Sequence, residues 1–302
     1  MDPEPPRKVS NAERPTRLPA RAPWGESASE GLVRVREYRC TACEGDPPQS
    51  EQFERASISV VRSGVFGIRT DRRVQLLSTG FLLLGNPRQN YEASHDHGVG
   101  DRCLVFDFQP GVIDDLAGSL RTGVTRNPFA VNVLPPHPRA DAFRRLAEER
   151  LASACSALGV EELGLALAAS VLAWGGTGDA RSRTPPRDGP KARQKVLAAI
   201  TRIEQASADD LRLSDLAAAA GLDPFSFLRL FKRETGVTPY RFLLQTRLRR
   251  AIELLRDTSR PITDIAFDVG FGDLSNFINA FRREVGVSPR GYRRAGPLVA
   301  AR

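Results

Sequence analysis

The spacing of hydrophobic residues changes along the chain, from a strand-like pattern to a helical one. Between residues 32 and 134, short runs of aliphatic, β-branched and aromatic residues alternate with Gly, Asn, Asp and Pro. The runs span residues 58–61, 65–69, 74–77, 81–84 and 103–108. Short strands at such even spacing are typical of a small β-barrel or a double-sheet roll.

Helical spacing replaces this pattern between residues 139 and 174. It predicts an amphipathic helix, a break at Gly159, and a second helix rich in Ala and Leu over residues 161–174. One face of the second helix carries Leu163, Leu167, Ser170, Val171 and Trp174. This face either covers the β structure or forms the contact of a homodimer.

A pattern of nine residues occurs twice near the C-terminus, fifty positions apart. The residues Phe227, Phe231, Lys232, Arg233, Glu234, Gly236, Val237, Thr238 and Pro239 recur as Phe277, Phe281, Arg282, Arg283, Glu284, Gly286, Val287, Ser288 and Pro289. Each copy follows a short apolar segment that ends at a glycine, Gly221 or Gly270. A helix, a glycine turn and a second helix, repeated in tandem, predict two helix-turn-helix units at about 213–236 and 263–286. This architecture places a helix in the major groove of DNA.

Capping residues predict where these helices begin. Asp223 and Thr238 each precede a proline, which is favoured at the first helical position. A long helix that starts after Thr238 and ends near residue 257 should join the two units and hold their reading helices rigidly. Ser214 and Thr263 are the expected caps of the first helix in each unit, and Asp273 competes with a nearby serine to cap the second reading helix.

The first reading helix should bury Phe227, Leu230 and Phe231, which lie on one stripe. Arg229 faces away from that stripe and is the best candidate for a base contact, because a guanidinium can pair with guanine through two hydrogen bonds. Phe225 either presses on a thymine methyl group or packs near the turn.

The second reading helix should bury Phe277, Phe281 and Val285 in the same way. Asn279 faces outward and either pairs with adenine or is an ordinary surface residue. Four basic residues in the two helices are expected to hold DNA phosphates: Lys232, Arg233, Arg282 and Arg283.

The excess positive charge lies on the segment that carries the repeat. Residues 191–302 contain 20 Lys and Arg against 12 Asp and Glu, whereas residues 1–190 contain 24 of each. The whole net charge of +8 therefore belongs to the C-terminal segment. A basic face is often merely solvated, but its coincidence with the duplicated pattern indicates a polyanionic partner.

Segments with few large hydrophobic residues precede, separate and follow these regions. Residues 1–30 are expected to be a disordered tail, 176–190 a linker and 296–302 a second tail. A β domain with its helices should then cover residues 31–175, and a DNA-binding domain residues 191–295. No apolar run is long enough to cross a bilayer and the N-terminus lacks a secretory signal, so we predict a cytoplasmic protein without membrane partners, whose cysteines are thiols.

His95, His97 and Asp101 are the candidate metal ligands of the sequence. Their spacing, H-x-H-x3-D, is close to the metal motif of cupins, H-x-H-x3–4-E, and two imidazoles with a carboxylate could bind a divalent ion. The alternative, which we favour, is a polar turn between strands, and we predict no metal and no other cofactor.

Cys40 and Cys43 form half of a zinc or redox site. Cys103 could complete that site if its strand lies next to theirs. Ordinary thiols are the favoured alternative.

Residues 191–295 resemble the DNA-binding domain of the AraC/XylS family, whose signature ends in a segment like GFGDLSNFINAFRREVGVSPRGYRR. Residues 32–110 are similar to the N-terminal half of one group of these regulators, through CTACEGDPPQSEQFERASISVVRSGVF and HDHGVGDRCLVF. The resemblance implies a bacterial transcription factor, often an activator, with a cupin-like effector or dimerisation domain ahead of the DNA reader. It also implies base contacts from the exposed faces of the reading helices, here Phe225, Leu228, Arg229, Ser275, Asn276 and Asn279. Family members often have Arg or Gln at such positions, so Leu228 and Asn279 depart from the pattern and leave the target sequence open.

We therefore predict an α+β protein, with an N-terminal cupin-like β-barrel or roll, a helical pair, and a C-terminal all-α tandem helix-turn-helix domain. The expected function is sequence-specific regulation of transcription on double-stranded DNA at the bacterial nucleoid, with RNA polymerase as a partner. A small-molecule effector and a homodimer are the candidates for its control. The alternatives are a cupin-type metal-dependent enzyme with an accessory DNA-binding domain, and a constitutive architectural DNA binder. No nucleophile–base pair or nucleotide-binding motif occurs, so no catalytic residue is predicted.

Overall fold

The computed structural model describes residues 31–43, 46–70, 73–94, 99–120, 127–152, 157–177 and 190–295. The predicted tails at 1–30 and 296–302 lie outside these residues, as does most of the predicted linker. The strands of the described residues are β1 (Val33–Cys43), β2 (Gln49–Gln52), β3 (Ser57–Ser63), β4 (Phe66–Thr70), β5 (Arg73–Leu77), β6 (Leu82–Gly85), β7 (Asn90–Ser94), β8 (Val99–Phe108) and β9 (Val133–Leu134).

Helices make up most of the rest of the described chain. They are α1 (Val112–Ser119), α2 (Pro138–Ala152), α3 (Ala157–Thr177), α4 (Pro190–Gln205), α5 (Leu213–Ala219), α6 (Pro224–Thr235), α7 (Pro239–Asp257), α8 (Ile262–Asp268), α9 (Leu274–Val285) and α10 (Pro289–Ala295). No helix of the described segments is long and apolar enough to cross a membrane.

The strands form two antiparallel sheets. The larger has the order β1-β8-β3-β6-β9, and the smaller has the order β2-β7-β4-β5. In the larger sheet Val33 pairs with Phe108 and Tyr38 pairs with Cys103. The five strands expected from the sequence correspond to β3, β4, β5, β6 and β8, and the predicted double-sheet roll is confirmed.

The strand β8, which lies between β1 and β3, is buried on both faces. Leu104, Phe106 and Phe108 belong to a hydrophobic cluster with α2 and α3. Cys103 and Val105 alternate with them and belong to a second cluster on the other side of the sheet. Burial on both faces explains why this strand reads as an almost continuous apolar run in the sequence.

The helices α2 and α3 cover the larger sheet. Leu163, Leu167 and Val171 of α3 are fully buried there, so the predicted apolar face covers the β structure within a single chain. The predicted break at Gly159 is wrong, because α3 begins at Ala157 and includes Gly159 in its first turn. The helix also extends to residue 177, two residues into the segment that we expected to be a linker.

The C-terminal helices form two helix-turn-helix units, as predicted. The first consists of α5 and α6, the second of α8 and α9, and the 19-residue helix α7 joins them. Three predicted caps, Asp223, Thr238 and Asp273, are confirmed by hydrogen bonds from backbone amides of the following turn.

Two predicted caps are wrong. The helix α5 starts after Arg212 and α8 starts after Pro261, and neither has a side-chain cap. Ser214 and Thr263 therefore lie inside the first turn. The hydroxyl of Ser214 donates to its neighbour Asp215 at 3.1 Å.

Candidate nucleic-acid interface

The helix α6 separates a buried face from an exposed face. Phe227 and Phe231 are fully buried and Leu230 nearly so, as the sequence predicts. The expected base-contacting residue Arg229 is exposed, and Phe225 is 77% exposed. Phe225 thus does not pack near the turn, and the structure leaves it free to meet a DNA base.

The N-terminal turn of α6 is fixed by Asp223. Its Oδ1 accepts hydrogen bonds from the amides of Phe225 and Ser226, at 3.1 and 3.0 Å. Hydrogen bonds from the hydroxyl and amide of Ser226 lower the pKa of Asp223. The cap therefore stays ionised at neutral pH, and it satisfies amides that would otherwise have no partner.

The side chain of Arg229 lies one turn beyond this cap. Its Nη2 donates to the hydroxyl of Ser226 at 3.3 Å. The contact is long, so it orients the guanidinium without holding it tightly. Leu228, which the resemblance also assigns to base contact, is partly buried beside it.

The helix α9 repeats this arrangement. Phe277, Phe281 and Val285 are buried. Asp273 caps the helix by accepting from the amide of Asn276 at 2.7 Å. The three predicted base contacts on this helix, Ser275, Asn276 and Asn279, are all exposed.

The four predicted phosphate contacts are also exposed: Lys232 and Arg233 on α6, and Arg282 and Arg283 on α9. They lie in the last turns of their helices. Each reading helix therefore presents its candidate base contacts near the N-terminal end and its cations further along. A groove-bound helix with phosphate anchors at one end has this distribution.

The sequence did not reveal the role of Arg241, which lies in the first turn of α7. Its guanidinium forms two hydrogen bonds with the buried carboxylate of Glu284, at 2.7 and 2.6 Å. This pair ties the start of the connecting helix to the second reading helix. The signal available in the sequence was the glutamate that both copies of the repeat carry, at 234 and 284, next to the buried aromatic stripe.

Of the three candidate metal ligands, Asp101 alone lies in the described part of the chain. No group of three or more His, Cys, Asp and Glu within it could hold a metal ion. His95 and His97 lie outside the described residues. Asp101 is buried on β8 and accepts a hydrogen bond from the thiol of Cys103 at 3.6 Å.

The condition for a shared site of Cys40, Cys43 and Cys103, that their strands lie side by side, is met. β8 does lie next to β1, and Cys40 pairs in register with Asp101. Cys40 and Cys103 are free thiols, and the side chain of Cys43 lies outside the described residues. Burial raises the pKa of Cys103 well above its usual value, so this thiol stays protonated.

Comparison with known proteins agrees with the geometry of the C-terminal helices. The helix-turn-helix domain family matches residues 216–295. The HTH-type transcriptional activator RhaS of Klebsiella pneumoniae (strain 342) is 40% identical over 97 residues, which are 32% of this chain and 35% of RhaS. The chain thus matches about a third of the length of this curated relative.

Two solved structures are each similar to about a third of the chain. The C-terminal domain of AraT, a response regulator from Geobacillus stearothermophilus, is 33% identical, with a TM-score of 0.31, and the match covers 36% of this chain and 88% of that one. A transcriptional regulator from Chromobacterium violaceum, of the AraC-type DNA-binding domain-containing proteins, is 29% identical, with a TM-score of 0.33 and coverage of 35% and 95%. The tandem helix-turn-helix domain at the C-terminal end of the chain is therefore of the AraC/XylS type found in transcription regulators.

Proposed function

We propose that the protein is a sequence-specific DNA-binding regulator of transcription that reads two adjacent major-groove segments, one with α6 and one with α9. The observation that carries this proposal is the matched burial of the two helices. Each buries its aromatic stripe and exposes polar and basic residues at equivalent positions. Such a pair of exposed faces, joined by one long helix, fits two successive contacts on one side of a duplex.

The proposed roles differ along each helix. Arg229 reads a base edge of the first segment, with Phe225 against an apolar base edge. Asn279 reads the second segment, with Ser275 and Asn276 near it. Leu228 adds apolar contact at most. The exposed cations Lys232, Arg233, Arg282 and Arg283 hold phosphates and set the position of the protein on the duplex.

The chain has an N-terminal β region and a C-terminal helical region, and this division supports control of DNA binding by the N-terminal region. We propose that residues 31–175 form a cupin-like regulatory domain that binds an effector or a second copy of the chain, and that residues 191–295 form the DNA-binding domain. RhaS is a transcriptional activator by name, which supports activation through RNA polymerase here. The protein would act at the nucleoid in the bacterial cytoplasm, and we assign it no catalytic role.

A selection from random duplexes with the full chain tests this function. The selected duplex should bind far more tightly than a scrambled one. The logarithm of its affinity should fall linearly with that of the salt concentration, by about 0.9 for each phosphate contact. A chain that binds all duplexes equally would be a constitutive architectural binder, and the proposal would be wrong.

A matched pair of variants separates base reading from phosphate binding. Arg229→Ala should cost about 1–3 kcal/mol on the selected duplex and much less on a scrambled one. Lys232→Ala, one turn further along the same helix, should weaken both duplexes alike and reduce the salt slope by about one contact. Equal losses on both duplexes for Arg229→Ala would contradict its proposed role.

A further inference from the structure

The N-terminal region contacts each helix-turn-helix unit at a different place. On the side of the first unit, β5 packs against α6. Leu76 and Leu77 of β5 share one hydrophobic cluster with Phe227 and Phe231 of α6. The core of the first unit and the core of the β region are therefore continuous.

The second unit is contacted by α2, which packs on both α7 and α9. Ala142 of α2 is fully buried within the core of that unit, in the same cluster as Ile252, Phe277 and Phe281. A residue from the N-terminal region thus completes the packing beneath the second reading helix.

Ion pairs line the contact between α2 and α7. Arg145 pairs with Asp257, and Glu149 pairs with Arg256. These side chains are about a quarter to a half exposed. Such pairs fix register and orientation more than they add stability, because solvent screens them.

Arg249, in the middle of α7, inserts into the β region. It is 6% exposed and donates to the carbonyl oxygen of Thr79 at 2.9 Å. Its Nη1 would lie 2.7 Å from a Cβ placed on Gly80, which has a φ of 87°. The turn between β5 and β6 is therefore shaped to receive this guanidinium.

We infer that the N-terminal region is a brace that fixes the orientation of the two reading helices relative to each other, and so makes the spacing of the two DNA segments a determinant of specificity. The inference rests on the proposed function. The connecting helix alone sets a distance between the two units. The contacts at β5, at α2 and at Arg249 hold both units against the same N-terminal region, which restricts their rotation about that helix. Arg145, Glu149 and Arg249 are then positioning residues for DNA recognition.

Charge inversion on α2 tests the brace in the full chain. In the inverted variant, Arg145→Glu and Glu149→Arg keep the charge pair within α2 but oppose like charges to Asp257 and Arg256. The swapped variant adds Asp257→Arg and Arg256→Glu, which restores both pairs with reversed sign. Comparison of the inverted and swapped variants therefore separates the loss of contact between α2 and α7 from the effect of the substitutions themselves.

The affinity of each variant and of the unaltered chain is measured for the duplex that the unaltered chain selects. It is then measured for duplexes in which one base pair is added or removed between the two contacted segments. One base pair rotates the second segment by roughly 34° and moves it by roughly 3.4 Å. The unaltered chain should lose about tenfold in affinity for each such change. The inverted variant should lose less than about threefold, and the swapped variant should regain the tenfold penalty.

Two results would overturn the inference. One is an inverted variant with the same spacing penalty as the unaltered chain. The other is an equal loss of affinity at every spacing, which would indicate a role in folding only. Absence of a preferred duplex for the unaltered chain would instead reject the proposed function, so the two failures are distinguishable.

Discussion

The ion pair between Arg241 and Glu284 offers the sharpest test of how the second reading helix is held. Glu284 is 5% exposed, and its carboxylate accepts two hydrogen bonds from Arg241 and one from Nε of Arg283, at 3.0 Å. The substitution Arg241→Ala would remove the two short bonds and leave the carboxylate with its more exposed neighbour. A buried carboxylate that loses its main partner becomes a cost to the folded state.

The size of that cost follows from the exposure of the pair. Loss of one partner from a fully buried pair costs about 3–5 kcal/mol. The side chain of Arg241 is 40% exposed, so water already screens part of the attraction. We therefore expect Arg241→Ala to lower the free energy of unfolding by about 2 kcal/mol.

Urea unfolding, followed by circular dichroism, measures this change. Arg282→Ala is the matched control: it lies on the exposed face of α9 and should change stability by less than about 0.5 kcal/mol while still weakening DNA binding. Adding Glu284→Gln to Arg241→Ala should recover about half of the loss, because the buried charge is removed. If the double variant is as unstable as the single variant or more so, the buried charge is not the cause and the reasoning is wrong.

Three further predictions concern the fold. Burial lowers the pKa of His137 to about 4, so between pH 6.5 and 4 the unfolded state binds a proton that the folded state does not. The free energy of unfolding should therefore fall by about 3 kcal/mol as the pH falls through that window. Thermal melts of His137→Asn should show a smaller loss of stability over the same range. Asp273→Ala should cost about 1 kcal/mol in urea unfolding through the lost cap, with Ser275→Ala nearly neutral. Gly80→Ala should cost about 1–3 kcal/mol because of its positive φ and the nearby Arg249, whereas Gly118→Ala, which meets no atom within 4 Å, should not destabilise the protein.

The helix-turn-helix units were predictable because their signals are local. Asp223 and Thr238 each lie next to a proline, so the cap and the first helical residue are specified by adjacent positions. The aromatic stripe of each reading helix follows from a period of 3.6 residues, which needs no knowledge of the rest of the chain. The failures at Ser214 and Thr263 have the same origin, because a serine or threonine in the first turn looks the same in sequence as one at the cap.

The packing of the N-terminal region on the reading helices could not be predicted. Ala142 lies in a segment with ordinary helical spacing. That spacing does not tell whether Ala142 faces the neighbouring sheet or a helix more than a hundred residues further along the chain. Leu76 and Leu77 have the same ambiguity, since a strand buried on both faces shows no alternation. We expected a flexible linker to separate the two parts, and the structure shows direct contact between them instead.

The two units are alike in sequence but are not held alike. Glu234 of α6 corresponds to Glu284 of α9, and its carboxylate forms an ion pair with Nε of Arg233 at 3.7 Å. Burial accordingly raises the pKa of Glu234. The first reading helix packs on the β region through β5, whereas the second packs on α2 and is paired with Arg241. A change in the β sheet should thus reach the first reading helix through its hydrophobic core, because Leu76 and Leu77 lie in one cluster with Phe227 and Phe231.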